Sequence, residues 1–227
     1  MRIDVITIFP GMFDPVLGES MMRRAQDKGL VEIVIHDLRD YSDDPHRKVD
    51  GRPYGGGPGM VMRVEPIARA VRAVRPMAQP GGRLLLTCPG GRRFDQRVAR
   101  ELAGEARLVI VAGHYEGYDE RVKQILDPDE ISIGDYVLTG GELPAMVMID
   151  AAVRLLPGVL GAEGGADDES FEGGMLEAPQ FTRPVDFEGH RVPAVLRSGN
   201  HARIVEYRRR ESEARTRGRR PDLLKEK

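Results

Sequence analysis

The stretch of the chain best suited to hold a small molecule runs from residue 131 to residue 144 and reads Ile-Ser-Ile-Gly-Asp-Tyr-Val-Leu-Thr-Gly-Gly-Glu-Leu-Pro. Three of its glycines fall within eight positions, with apolar Val137 and Leu138 between them. Glycine lets the main chain approach a ligand closely or turn with a positive φ, whereas turns in solvent favour Asn, Asp and Ser. The pattern favours a pocket wall made of backbone amides and a few apolar side chains. A tight strand-to-helix turn is the alternative interpretation.

A second glycine-rich segment, residues 53–60, reads Pro-Tyr-Gly-Gly-Gly-Pro-Gly-Met and follows a long polar stretch from Asp37 to Arg52. It lacks the Lys-Ser/Thr ending of a phosphate-binding P-loop and the spacing of a dinucleotide fingerprint, so it predicts neither site. Long loops without secondary structure are uncommon in compact domains. We therefore expect this segment to frame a pocket or to move.

The elements that must position these segments alternate between strands and helices. Strand-like runs lie at 2–9, 31–36, 83–87 and 107–112, and helical patterns at 14–28, 66–74, 95–102 and 141–155. Such alternation is typical of a parallel sheet covered on both faces, in which ligands bind at the carboxyl ends of strands. Because the glycine-bearing loops at Thr87, Gly113 and Gly134 all follow strands, we expect one pocket built from three strand ends. The 141–155 helix is apolar almost throughout, which predicts burial on more than one face and makes another subunit a candidate neighbour.

Composition indicates a soluble protein. The chain has 227 residues, enough for one substantial core and an appendage. Its single cysteine, Cys88, cannot form an internal disulfide, so nothing indicates an oxidising compartment. Residues 1–9 have the pattern of a strand and not of a signal peptide, and no run of about 18 apolar residues predicts a membrane span. We expect a cytoplasmic protein without membrane contact.

The net charge of -2 conceals two parts of opposite sign. Residues 178–227 contain 13 Lys and Arg against seven Asp and Glu, whereas residues 1–177 contain 21 against 29. At the end of the first part, residues 157–177 are rich in glycine and acids, as in a flexible linker. After a capping sequence that ends at Asn200, apolar Ile204, Val205 and Tyr207 among arginines predict an amphipathic basic helix. The basic part predicts a polyanionic partner, and a solvated charged helix is the alternative.

Four motifs stand in order along the chain: Gly-Gly-Gly-Pro-Gly-Met at 55–60, Gly-His-Tyr-Glu-Gly at 113–117, Ser-Ile-Gly-Asp-Tyr-Val-Leu at 132–138 and Ser-Gly-Asn-His-Ala at 198–202. Together they resemble one family, the bacterial tRNA (guanine-N1)-methyltransferases of the SPOUT class, which use S-adenosylmethionine. Each motif is weak by itself, but the four occur in the family's order. The likeness extends from Met1 to about Leu224.

The resemblance implies an α/β fold with a SPOUT-type parallel sheet, a C-terminal trefoil knot and a small helical C-terminal domain. It implies a catalytic domain at 1–160 that binds S-adenosylmethionine, a flexible acidic linker at 161–177 and a basic helical tRNA-binding domain at 178–227, assembled as a homodimer. Periodicity does not predict a knot, and general topology rules argue against one. The knot therefore rests on the resemblance alone.

The activity that the resemblance implies is methyl transfer from S-adenosylmethionine to N1 of the guanosine immediately 3′ of the anticodon in tRNA. Two alternatives remain: a SPOUT methyltransferase acting on ribose 2′-oxygens or ribosomal RNA, and a non-catalytic RNA-binding protein. Mg²⁺ accompanies reactions of the family type, but the five histidines lack metal-ligand spacing. We expect no dedicated metal site.

The family's donor contacts, carried over position by position, fall on three loops. They match Leu86, Thr87 and Pro89 in the first, Gly113 and Glu116 in the second, and Ile133, Gly134, Asp135, Tyr136, Val137, Leu138, Gly140 and Gly141 in the third.

Methyl transfer to N1 also requires a base for the N1 proton and a cation for the charge that develops at O6. In the family pattern the cation matches Arg154, which otherwise complements the dipole at a helix end. The base is usually an aspartate directly before Ser-Phe, and this chain has Glu169 there. Glu169 is the base favoured by register and Asp168 is its rival, unless both are solvating acids of a linker.

Overall fold

The computed structural model describes residues 1–161 and 169–224. The chain divides into two compact units, Met1–Gly161 and Ala162–Lys227. The domain bounds that the resemblance implies, with a first domain at 1–160, stay a prediction. Among the described residues, no helix is both long and apolar enough to cross a membrane.

The first unit is built on a sheet of parallel strands. Its strands in chain order are β1 (Arg2–Thr7), β2 (Glu32–Asp37), β3 (Asp50–Gly51), β4 (Val61–Met62), β5 (Arg83–Arg93), β6 (Arg107–Val111) and β7 (Asp129–Ser132). The main sheet has the order β2-β1-β6-β5-β7, and each neighbouring pair is parallel. β3 and β4 form a separate antiparallel hairpin. The predicted parallel sheet is confirmed.

The helices of the first unit cover both faces of this sheet. They are α1 (Asp14–Leu17), α2 (Ser20–Asp27), α3 (Val64–Val74), α4 (Gln96–Ala103), α5 (Arg121–Leu126) and α6 (Glu142–Val153), with short 3-10 helices at Pro10–Met12, Leu38–Tyr41 and Arg75–Met77. Side chains alternate along the strands, so that Val5 faces one core with Ile149 of α6. Ile6 faces the other core with Ile67 of α3. Each such side chain contributes roughly 1.5–3 kcal/mol when fully buried.

The helix predicted over 14–28 is interrupted, which corrects the sequence interpretation. α1 ends at Leu17 with Gly18 as its C-cap, and Glu19 is extended with φ -125° and ψ 165° before α2 begins. The break lets Leu17 and Met22 both enter the core, at 4% and 3% exposure. In one continuous helix, residues five apart would face directions about 140° apart. The predicted end at Gly29 is confirmed, since Gly29 has φ +67° and stops α2.

The described part of the second unit is mostly helix and turn. It contains 3-10 helices at Glu172–Gly174, Ala194–Arg197 and Pro221–Leu224, the two-stranded hairpin of β8 (Asp186–Phe187) and β9 (His190–Arg191), and helix α7 (His201–Arg219). The predicted cap of α7 is confirmed. The Asn200 side chain accepts a hydrogen bond of 3.1 Å from the Arg203 backbone amide.

α7 differs from the predicted amphipathic helix. Val205 is 64% exposed, whereas the positions buried on this helix are Ser212 and Thr216. Thr216 Oγ1 accepts a hydrogen bond of 2.9 Å from the Leu176 amide, and Ser212 Oγ donates to the Leu176 carbonyl. Hydrogen bonds between the hydroxyl groups of α7 and the Leu176 backbone hold the helix in place. It is not held by a simple stripe of apolar side chains.

Asp4 of β1 is a fully buried carboxylate at the centre of an ionic cluster. It accepts a hydrogen bond of 2.8 Å from Arg107 Nε and one of 2.9 Å from Arg2 Nε, and it lies 2.8 Å from His36 Nε2. Arg107 also donates to the Val74 carbonyl at the end of α3, at 2.8 Å. Burial by itself would raise the pKa of Asp4, but the hydrogen bonds with His36, Arg2 and Arg107 outweigh it and hold the pKa well below its usual range.

We predict that the substitution Asp4→Asn lowers the free energy of unfolding at neutral pH by about 3–5 kcal/mol, because it leaves Arg107 buried without its carboxylate. Since folding lowers the pKa of Asp4, the ionised group stabilises the wild type above its unfolded pKa of about 3.9. That contribution is lost as the pH falls through the folded pKa. Urea unfolding at a series of pH values should show the difference between the two proteins shrinking toward acid.

The matched control is Asp27→Asn, which removes an exposed carboxylate 3.7 Å from Arg23. Exposed pairs of this kind contribute roughly 0–1 kcal/mol, so this variant should stay close to the wild type. A difference between wild type and Asp4→Asn that does not change with pH would contradict the role of the cluster.

Candidate active site

Three loops leave the main sheet side by side: the first is a bulge within β5, and the second and third lie at the carboxyl ends of β6 and β7. β5 pairs with β7 through Thr87 and again from Arg92, and the residues between them leave the ladder as a bulge. The second loop follows β6 and the third follows β7. Because these three strands are neighbours in the sheet, the loops converge, as the sequence predicts.

The loops enclose a cavity of about 360 Å³, a size in the usual range for small-molecule sites. Eleven of the thirteen predicted donor contacts line it: Thr87, Pro89, Gly113, Glu116, Ile133, Gly134, Tyr136, Val137, Leu138, Gly140 and Gly141. The other two do not. Leu86 is buried in the core at 1% exposure, and Asp135 has an exposed side chain.

Backbone groups fasten the three loops to one another. The Gly141 amide donates a hydrogen bond of 2.6 Å to the Gly113 carbonyl. The Gly113 amide donates to Thr87 Oγ1 at 3.3 Å, and Thr87 Oγ1 donates to the Val111 carbonyl at 3.3 Å. A main-chain hydrogen bond thus joins the second and third loops. Beneath them, the Thr87 hydroxyl joins β5 to β6.

Gly141 allows this approach because it has no side chain. A Cβ at this position would overlap Thr87 Oγ1 and lie 2.7 Å from the Gly113 nitrogen. α6 begins at the next residue, so the same glycine sets where the helix starts. Gly141 is therefore required by close packing against Thr87 and the Gly113 backbone, whereas a Cβ at Gly140 would meet the His114 and Glu142 side chains.

Tyr118 anchors the second loop from below. Its hydroxyl lies 3.2 Å from the Thr87 carbonyl and 3.0 Å from the Val111 carbonyl, either of which it can donate to. Burial raises the pKa of Tyr118 well above its usual range, so the phenol stays protonated at neutral pH. It serves as a donor that holds the loop and not as an acid or base.

A buried acid that the sequence analysis did not single out lies beside the cavity. Glu142, the first residue of α6, is 1% exposed and accepts a hydrogen bond of 2.9 Å from Thr7 Oγ1. Its other oxygen lies 3.5 Å from His114 Nδ1. His114 lines the cavity and also a smaller one of about 220 Å³ beside Phe9. The available signal was an acid directly after a glycine pair, inside an otherwise apolar helix.

The glycine-rich segment 53–60 forms the tip of the β3–β4 hairpin and does not line the 360 Å³ cavity. It contacts the second loop instead, since the Met60 carbonyl accepts a hydrogen bond of 3.0 Å from the Glu116 amide. Tyr54 at its tip is fully exposed. The sequence analysis expects this segment to frame a pocket or to move: it does not line this cavity, and its motion stays a prediction.

The comparison with protein families gives the identification. The model of the family described as "tRNA (Guanine-1)-methyltransferase TrmD" matches residues 1–226. The chain belongs to this family. The family is one of methyltransferase enzymes, and the resemblance inferred from the four motifs is confirmed.

Curated relatives agree with the family match over nearly their whole length. The "tRNA (guanine-N(1)-)-methyltransferase" of Geobacillus kaustophilus is 57% identical over 226 residues, which are 100% of this chain and 92% of the relative. The protein of the same name from Geobacter sulfurreducens is 57% identical over 224 residues, 99% of this chain and 91% of the relative. That of Bacillus subtilis is 53% identical over 226 residues, 100% of this chain and 93% of the relative.

Of the predicted catalytic residues, Arg154 belongs to the same unit as the cavity but does not line it. Arg154 follows the last residue of α6, and a helix of twelve residues spans roughly 18 Å from the wall at Gly141. Glu169 begins the described part of the second unit and is half-buried. Asp168 lies outside the described residues. Among the residues that the structure describes, no group of three or more His, Cys, Asp or Glu side chains could hold a metal ion.

The substitution Gly141→Ala should lower the free energy of unfolding by about 1–3 kcal/mol, because the added methyl forces the second and third loops apart. Urea unfolding checks this value. Gly11→Ala is the matched control, since nothing lies within 4 Å of a Cβ there. A Gly141→Ala protein as stable as the control would contradict the close contact with Thr87 and Gly113.

Proposed function

We propose that this protein transfers a methyl group from S-adenosylmethionine to N1 of the guanosine immediately 3′ of the anticodon in tRNA. The observation that carries the proposal is the convergence of eleven predicted donor contacts on one cavity, in a chain that belongs to the tRNA (guanine-N1)-methyltransferase family. The curated relatives are named tRNA (guanine-N(1)-)-methyltransferase, and this chain covers more than nine-tenths of the length of each.

The cavity has the chemistry that a bent S-adenosylmethionine requires. Ile133, Val137 and Leu138 supply apolar surface for a flat adenine ring, and five glycines, at 113, 117, 134, 140 and 141, leave main-chain amides and carbonyls open to polar groups. When bound, S-adenosylmethionine supplies a methyl carbon activated by its sulfonium. The chain supplies a binding site that holds this carbon in one place, which lowers the barrier through orientation.

The reaction needs one proton removed and one charge stabilised. We propose that the Glu169 carboxylate removes the N1 proton of guanine, with Asp168 as the alternative base one residue earlier. We propose that Arg154 stabilises the negative charge that develops at O6, because a guanidinium stays protonated and offers paired donors. The base and the cation thus act at N1 and at O6, which are both bonded to C6 of guanine.

We also propose that the working enzyme is a homodimer in which Arg154 of one subunit serves the donor cavity of the other. Two observations support this. α6 separates Arg154 from the cavity wall of its own chain by roughly 18 Å. Leu143 and Val147, one turn apart on α6, are 48% and 47% exposed, an apolar surface suited to a partner.

The finer features that family membership supports belong to the same proposal. They are the C-terminal trefoil knot, the acidic linker at 161–177, the basic tRNA-binding domain at 178–227 and a cytoplasmic location. The described basic helix α7 supports the tRNA-binding role through its arginines. A dependence on Mg²⁺ without a dedicated protein site also remains a prediction.

Methyl incorporation from labelled S-adenosylmethionine tests the activity. We expect label in a tRNA transcript with two guanosines at and before the target position, and none when the target guanosine is changed to adenosine. Glu169→Gln should lower the rate by about 10²–10⁴-fold, because general-base catalysis contributes that much, while Asp168→Asn leaves most of it. The reverse result would assign the base to Asp168, and equal label in both transcripts would move the target elsewhere.

Mixed dimers test the shared site. Arg154→Ala removes the cation, and Leu138→Arg fills the donor cavity, so each variant by itself should be inactive. Random mixing of subunits should restore about one quarter of the wild-type activity, because half of the dimers then contain one intact site. Calorimetry should show that Arg154→Ala still binds S-adenosylmethionine. No recovery on mixing, with heterodimers present, would contradict the assignment of Arg154 to the partner's cavity.

A further inference from the structure

The second unit contains a cavity of its own, of about 370 Å³, that has no part in the donor site. One wall is the segment before the β8–β9 hairpin, and the opposite wall is the start of α7. The lining residues are Pro179, Gln180, Phe181, Thr182, Arg183, Val185, Val192, Leu196, Arg197, Ile204 and Arg208. All of them lie within the second unit.

The charge in this cavity is positive and uncompensated. Arg183, Arg197 and Arg208 line it together with no acidic residue. Within the part of the chain that the structure describes, none of these three arginines makes an ion pair or a side-chain hydrogen bond. Arg209, the next residue along α7, differs: it pairs with Glu206 at 2.9 Å and with Glu213 at 2.6 Å. Three neighbouring cations without a carboxylate favour an anionic ligand.

The remaining wall supplies flat and apolar surface. Phe181 is 46% exposed and Val185 is 43% exposed, and both line the cavity beside half-buried Leu196 and Ile204. An exposed aromatic ring among arginines is the surface on which unstacked bases of single-stranded RNA bind. A simple phosphate site would not need the ring, and a purely apolar site would not need the guanidinium groups.

We propose that this cavity binds one unstacked nucleotide of the RNA substrate, with the base on Phe181 and the phosphate among Arg183, Arg197 and Arg208. The inference rests on the proposed function, since it takes the substrate to be RNA. It adds a defined nucleotide site to what is otherwise a general basic surface. The nucleotide bound here is distinct from the target guanosine, whose N1 must reach the donor cavity.

The first test compares two neighbouring arginines of α7. Arg208→Ala should weaken binding of the tRNA transcript about tenfold and lower the slope of log affinity against log salt by about 0.7–0.9, the value for one phosphate contact. Arg209→Ala, whose charge is already paired, should change the affinity by no more than about twofold. Both proteins should bind S-adenosylmethionine like the wild type, which shows that the first unit remains folded.

The second test separates the base from the phosphate. Phe181→Leu keeps the apolar bulk but removes the ring, so it should weaken tRNA binding without changing the salt slope. Transcripts with single abasic positions should reveal one position whose loss weakens wild-type binding. Phe181→Leu should bind this abasic transcript as tightly as it binds the intact transcript.

Three results would overturn the inference. The first is an equal effect of Arg208→Ala and Arg209→Ala on tRNA affinity. The second is the absence of any abasic position whose effect on binding depends on Phe181. The third is a change in the molar mass of either cavity variant by light scattering, which would make the cavity an interface between copies. If the wild type methylates tRNA and Arg208→Ala binds tRNA like the wild type, the nucleotide site is refuted and the proposed function stands. Wild-type protein that binds tRNA but transfers no methyl group would refute the proposed function and leave the binding results to decide the cavity.

Discussion

The contact between the backbones of Gly141 and Gly113 is the constraint on which the site depends. It brings the loop after β7 against the loop after β6, and Thr87 joins β6 and the loop after it to β5. The cavity exists because these three loops cannot spread apart, and α6 starts where it does because the contact fixes Gly141. The far end of α6, where Arg154 lies, is therefore set by the same hydrogen bond that closes the pocket.

Much of this arrangement could be predicted from the sequence, because alternating strands and helices and clustered glycines are local signals. The parallel sheet and the meeting of three loops follow from them. The break between α1 and α2 could not be predicted from Gly18 alone, since it depends on burying both Leu17 and Met22. Tyr118 and Glu142 were missed for a similar reason: their partners are more than 25 positions away in the chain at Thr87 and Thr7.

The two units use charge in opposite ways. In the first unit, the fully buried Asp4 is surrounded by Arg2, His36 and Arg107, so its charge serves the packing of strands against α3. Leaving either partner of such a pair alone in the interior would be costly. In the described part of the second unit, several arginines remain available at the surface. An acidic body and a basic end thus coexist in a chain whose net charge is -2.

The main-chain character of the donor cavity has a consequence for selection under an inhibitor. Where Gly113, Gly134, Gly140 and Gly141 line the wall, a competing compound contacts main-chain carbonyls, which every amino acid possesses, and main-chain amides, which every amino acid except proline possesses. A substitution other than one to proline cannot delete such a group. It can only add a side chain, and at Gly141 that side chain would collide with Thr87 and Gly113 before it reached the compound. Escape from a compound that binds only this wall would therefore require altering the loops that the enzyme itself needs, which makes resistance costly to acquire.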